Sequence, residues 1–171
     1  VLAFVHAETS TGVRSDAERL CGMAKSAGML SIVDAVTSLA GIDLQVDAWG
    51  ADVVYSGTQK CLSSLPGIAP ITFSSDAVEM IATRKRKVQS WFLDMNLIMG
   101  YWGEGAKRAY HHTAPVNAIY ALHEALLMLE EEGLQASFAR HKANHLVLTK
   151  GLSELGLKLA VSEPWRLPQL N

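Results

Sequence analysis

Short apolar runs alternate with amphipathic stretches through the first half of this 171-residue chain, and that alternation predicts an α/β fold. The runs are apolar throughout rather than on every second residue. Strands of a mostly parallel sheet, buried beneath helices on both faces, have that character. Each run also stops at a small polar or Gly-containing turn. With 49% hydrophobic and 19% charged residues the chain has ample material for a core.

In order, "VLAFV" (1–5) reads as a fully buried strand and "HAETSTG" (6–12) as the polar turn behind it. "SDAERLCGMAKSAG" reads as a helix. Ser15 and Glu18 make a capping box, Ala17, Leu20, Cys21, Ala24 and Ala27 share one face, and Gly28 is the C′ stop. "MLSIVD" (29–34), "ADVVYSG" (51–57) and "GIAPITFS" (67–74) give three further strands. The second half is helical. "APVNAIYALHEALLMLEEEG" carries Pro115 near its start, a stripe of Ala118, Leu122, Ala125, Leu126 and Leu129, and Gly133 as terminator. A helix over about 134–155 aligns Leu134, Phe138, His141, His145, Leu148, Leu152 and Leu155. Gly156 ends it, and "LKLAV" reads as a strand opening a separate unit, so a domain boundary is placed near Gly133.

The formal net charge of −2 gives no reason to expect nucleic acid or an anionic membrane as partner. "TRKRK" (83–87), at a helix end, suits the dipole and reads as a solvated face. Cys21 and Cys61 lack metal-ligand spacing and suggest no disulfide scaffold, which points to a reducing compartment. No apolar run approaches the roughly 18 residues of a membrane span. "VLAFVHAE" begins inside a strand without an initiator Met, and we read the chain as an internal segment of a longer protein.

Ligands of open parallel sheets bind outside the carboxyl ends of the strands. Three polar clusters fall there: "HAETSTG", Asp34 after "SIV", and "SGTQK" after "DVVY". A carboxylate directly after a buried run is costly unless paired, and Lys60 stands where an apolar strand breaks into a small-residue loop. Pyridoxal 5′-phosphate asks for this set: a lysine amine for a Schiff base, a carboxylate to keep the pyridine nitrogen protonated, and small polar donors for phosphate and ring oxygen.

Four segments in order, "HAETSTG" (6–12), "VDAVTSLAG" (33–41), "YSGTQKCLSSLPG" (55–67) and "YHHTAPVNAIYALHEAL" (110–126), resemble class V aminotransferases of the fold-type I pyridoxal-phosphate superfamily. Within that family they are most similar to the alanine–glyoxylate and serine–glyoxylate (serine–pyruvate) group. The resemblance implies that residues 1–133 belong to the large cofactor-binding domain and 134–171 begin a smaller α/β C-terminal domain. It implies Lys60 as the Schiff-base lysine and Asp34 as partner of the pyridine nitrogen. Val36 would pack on the ring, Thr9 would lie near its hydroxyl, and Gln59 would contact the phosphate. Tyr110 and Thr113 would reach the phosphate of the neighbouring subunit's cofactor, in a homodimer with shared sites. The substrates implied are a small amino acid, alanine or serine, and a 2-oxo acid, glyoxylate or pyruvate. Thr58, Ala7 and "SSLPG" depart from a frequent Ser, Gly and double Pro without touching this chemistry. The Gly-rich phosphate loop, the stacking aromatic and the substrate-carboxylate arginine of the family have no counterpart here, so the 171 residues alone are expected to be inactive.

Two other function classes are weighed. A desulfurase or lyase of the same fold type would add a mobile catalytic cysteine, which neither Cys21 nor Cys61 resembles. A non-catalytic paralogue used for association is disfavoured by the joint presence of Lys60, Asp34 and Gln59. His6, His111, His112 and Glu8 match no common zinc spacing, and no metal is expected.

Overall fold

The computed structural model of the chain describes residues 1–102 and 109–171. Its main sheet has four strands in the order β1 (Leu2–Val5), β4 (Ser31–Asp34), β5 (Val53–Tyr55), β6 (Ile71–Phe73). β1, β4 and β5 run parallel, with Val5, Asp34 and Tyr55 in one row at their carboxyl ends. β6 is antiparallel to β5. The fold is α/β with a mostly parallel sheet, as the apolar runs predict.

The helices fall on either side of this sheet. Cys21 of α1 (Ala17–Ser26) packs with Val33, Ala35, Ala51 and Val54 on one face, joined by Trp49 of the short α2 (Val46–Trp49). On the other face α3 (Ser75–Ala82) brings Ala77, Met80 and Ile81 towards Ile32, Val53 and Phe73, leaving an open groove of about 670 Å³. β1 is half exposed rather than fully buried, because it has one strand neighbour and Val1 and Val5 turn outward.

Asp52 ties the opposite end of the strands together. Its carboxylate accepts from Ser31 N at 2.8 Å, Ser31 Oγ at 3.2 Å and Ser74 Oγ at 2.8 Å. Three elements are thus fixed in register by one side chain.

"HAETSTG" is more ordered than a turn: Ala7–Glu8 (β2) and Val13–Arg14 (β3) form a small antiparallel ribbon. The cap of α1 is Asp16, which accepts from Arg19 N at 3.1 Å, and not Ser15, whose backbone N–H donates to His6 O. Gly28 follows the helix at φ +65°, as a C′ glycine should. The basic run lies just past α3, whose cap is Thr83.

Beyond α4 (Met95–Trp102), helices α5 (Val116–Glu132) and α6 (Leu134–Glu154) meet at Gly133, φ +83°. On α6 the expected stripe holds only over its middle. His145, paired with Asn171, is buried, and Phe138, His141 and Leu152 are half-buried. Leu134, Leu148 and Leu155 are exposed, and Ser137, which donates to Ala40 O, takes the most buried place. "LKLAV" forms no strand. The chain instead crosses back over β2 and β3: Val13 bridges Arg166, and Leu167 is fully buried with Ala7 and Ile42. Apolar content could not distinguish a strand here from an extended return to the core.

Leu167→Ala in the full-length protein is expected to cost about 2–5 kcal/mol, as a buried leucine does when its cavity cannot collapse. Leu155→Ala, at a position 78% exposed, should shift the denaturant midpoint very little.

Candidate active site

Asp34 ends β4 with both carboxylate oxygens engaged. Tyr55 OH donates to Oδ2 at 2.8 Å and Val36 N donates to Oδ1 at 2.9 Å. The Tyr55 bond comes from the next strand in the same row, so sheet register places it. That hydrogen bond raises the phenol of Tyr55 above its ordinary range, with burial adding to it. Each oxygen keeps a free lone pair, and the half-buried carboxylate is held in one orientation. Sequence reasoning found Asp34 and Val36 but not Tyr55, which the parallel-sheet expectation could have put beside Asp34.

The loop after β5 is held by its own backbone. Ser56 N donates to Pro70 O at 2.9 Å, and the fully buried Thr58 places Oγ1 2.5 Å from Leu65 O. These bonds fix a rigid stem from which Gln59 and Lys60 project outward, both exposed. The Gln59 amide folds over Gly57, where a Cβ would lie 2.8 Å from its Oε1, so the glycine lets that amide lie close to the backbone. Lys60 starts a turn closed by Ser63 N donating to its carbonyl at 2.9 Å.

Lys60 and Thr9 line one cavity of about 260 Å³ with Thr37, Cys61, Ser63, Arg140, His141 and Gln169. Lys60 and Arg140 give it cationic character. Arg140 is clamped by Glu132 through Nε and Nη2, at 2.5 and 2.8 Å. Gln169 donates to Thr37 O at 3.0 Å and leaves its buried Oε1 without a partner. Arg140 and Gln169 went unnoticed in the sequence because they come from α6 and the returning tail. Cys61 is half buried, its Sγ filling the space a Cβ at Gly41 would need, and burial pushes its thiol up. A cysteine so wedged is unlike a mobile nucleophile.

Tyr110 and Thr113 are not brought to this cavity. They are exposed on the connection to α5 and pair with each other, hydroxyl to hydroxyl at 2.7 Å. Asp34 and Val36 sit at the strand edge, while Thr9 and Lys60 line the cavity. His6 is apart from His111 and His112, and among the described residues no three His, Cys, Asp or Glu side chains converge.

His6 and Thr37 latch the two strand-end loops together. His6 is 3% exposed, its Nδ1 3.0 Å from Ser38 Oγ and its ring edge-on to Trp49, while Thr37 Oγ1 donates to Ala7 O at 2.9 Å. This latch holds the β1–β2 junction, and so Thr9 beyond it, against the turn that follows Asp34.

The α/β sheet carries a clamped carboxylate and a loop lysine at its strand ends, and comparison with known proteins supplies the family. The aminotransferase class-V profile matches residues 1–165, and the chain belongs to that family. It is 42% identical over 173 residues to the alanine–glyoxylate aminotransferase of Oryctolagus cuniculus, covering 100% of this chain and 44% of that protein. In structure it is similar to an alanine–glyoxylate aminotransferase from Nostoc sp., with TM-score 0.93, 48% identity, and 98% of this chain and 44% of that chain covered. A ureidoglycine–glyoxylate aminotransferase from Bacillus subtilis follows at TM-score 0.91 and 37% identity, covering 97% of this chain and 42% of that chain. The chain thus spans less than half the length of these relatives.

The latch predicts a pH dependence. Burial, reinforced by the Arg14 charge, lowers the pKa of His6 from 6.5 to about 4. Between those values the unfolded chain binds the proton and the folded one does not, so stability falls as pH drops from 6.5 towards 4. The loss should reach up to about 3 kcal/mol. Urea unfolding across this range is expected to show a shallower pH dependence in His6→Gln than in the wild type.

Proposed function

We propose that the whole protein is a pyridoxal-phosphate-dependent aminotransferase, moving an amino group between alanine or serine and glyoxylate or pyruvate. The observation that supports this most directly is the Asp34 carboxylate, oriented by Tyr55 and Val36 with lone pairs to spare, on the sheet edge from which Lys60 projects. The donor set fits the cofactor. It comprises an anion for a protonated ring nitrogen, an exposed amine for an aldehyde, and hydroxyl and amide groups on Thr9 and Gln59 for the ring oxygen and phosphate. Pyridoxal phosphate, when bound, supplies the electron sink for the pair released at the substrate α-carbon.

Asp34 would hold the proton on the ring nitrogen, and Tyr55 would hold Asp34. Val36 would offer an apolar contact to the ring face. Lys60 would anchor the cofactor and, freed by the substrate amine, move the α-proton. Tyr110 and Thr113 would serve the phosphate of a neighbouring subunit in a homodimer. Residues 1–133 would belong to the cofactor-binding domain and 134–171 would begin the smaller one. Support for the glyoxylate assignment comes from relatives whose names specify that acceptor.

The full-length protein with pyridoxal phosphate should show a visible absorbance band that borohydride removes and Lys60→Ala abolishes. Asp34→Asn should retain the cofactor yet slow the half-reaction with alanine, by several kcal/mol of barrier, on the order of 3–5. A colourless wild type soaked in cofactor, or an Asp34→Asn enzyme of normal rate, would contradict the assignment.

A further inference from the structure

His111 is 5% exposed in a connection whose neighbours are open to solvent: Tyr110 is 75% exposed, Trp91 57% and Phe92 55%. Its imidazole stacks on the Trp91 indole, 4.0 Å between centroids and 17° between planes. Nε2 lies 3.1 Å from the Trp91 carbonyl oxygen. A carbonyl only accepts, so His111 donates to it from Nε2. Its Nδ1 is 2.7 Å from Nδ1 of His112, one nitrogen donating to the other. His112 is itself walled by Phe92 and Tyr101, edge-on at 5.3 and 5.6 Å. One backbone carbonyl and one aromatic stack thus anchor two consecutive histidines.

The residues on either side of this clamped pair are Tyr110 and Thr113, whose hydroxyls meet at 2.7 Å and face solvent. Two hydroxyls held side by side can exchange their mutual hydrogen bond for two donated to one oxyanion, provided the backbone between them cannot move.

We propose that His111 is a positioning residue. Anchored to Trp91, it fixes the 110–113 backbone so that Tyr110 and Thr113 stand preorganised for the phosphate of a neighbouring subunit's cofactor. This rests on the reading of Tyr110 and Thr113 given above. His111 itself touches neither cofactor nor substrate. Its effect passes wholly through the hydroxyl pair, which makes it separable from a general packing role.

The test uses the full-length apoprotein titrated with pyridoxal phosphate and, in parallel, with pyridoxal, which lacks the phosphate. His111→Phe keeps the stack on Trp91 and loses both hydrogen bonds. It should weaken pyridoxal phosphate by about tenfold and leave pyridoxal unchanged. Tyr110→Phe/Thr113→Ala should do the same, and adding His111→Phe to that variant should produce no further loss. His111→Gln, whose amide can still donate to the Trp91 carbonyl, should recover most of the affinity. If His111→Phe fails to fold, His111→Asn, too short to reach that carbonyl, carries the same comparison. Equal weakening of both ligands, full additivity with the hydroxyl variant, or unaltered phosphate-ligand affinity would overturn the proposal. If Tyr110→Phe/Thr113→Ala alone leaves pyridoxal phosphate binding intact, the phosphate role of that pair falls first and the positioning role with it.

Discussion

Parallel pairing of β4 between β1 and β5, with Val5, Asp34 and Tyr55 in one row, is the constraint from which the site follows. A one-residue slip would turn every side chain of β4 to the opposite face, taking Asp34 away from Tyr55 and Val33 out of the core. Asp52 guards against this at the far end, because its carboxylate bonds only if Ser31, which opens β4, and Ser74, which caps α3, arrive in step. The charged end and the buried end of the sheet are therefore set by the same register. Stability and chemistry are not independent here.

Rigidity decreases in stages away from that row. The carboxylate of Asp34 has two protein partners, the stem beneath Lys60 is closed by backbone hydrogen bonds, and the Lys60 side chain itself projects into open space. A group that must orient a ring benefits from being fixed, while an amine that must bind and then release benefits from freedom. The cationic wall supplied by Arg140 is built differently again. It depends on an ion pair with Glu132 across the α5–α6 corner, half exposed and screened by solvent.

Much of this was legible in the residues. Asp34 and Lys60 could be placed at strand ends because "SIVD" and "DVVYSG" break from apolar to polar at one point, and the α/β alternation followed from the same breaks. What escaped was whatever distant residues decide. Ser15 and Asp16 are both good caps, and the choice between them depends on His6 O claiming the Ser15 N–H. On α6 the spacing found the inward positions Phe138, His141, His145 and Leu152 but not Ser137, whose place follows from where Ala40 O lies. "LKLAV" has strand-like composition, yet Leu167 wins the core place beside Ala7.

That return of the tail bears on the order in which the chain can fold. Arg14 donates to Pro164 O across 150 positions, and Leu167 seals Ala7 over a comparable span. Contacts of such separation form late, since loop closure precedes any gain from them. On a ribosome the strands β1, β4, β5 and β6 could pair while the hollow above Ala7 still waited for its leucine. Until that residue emerged, the ribbon carrying Thr9 would have no ceiling, and the two halves of the cavity would be assembled only once residues 166–170 had been made.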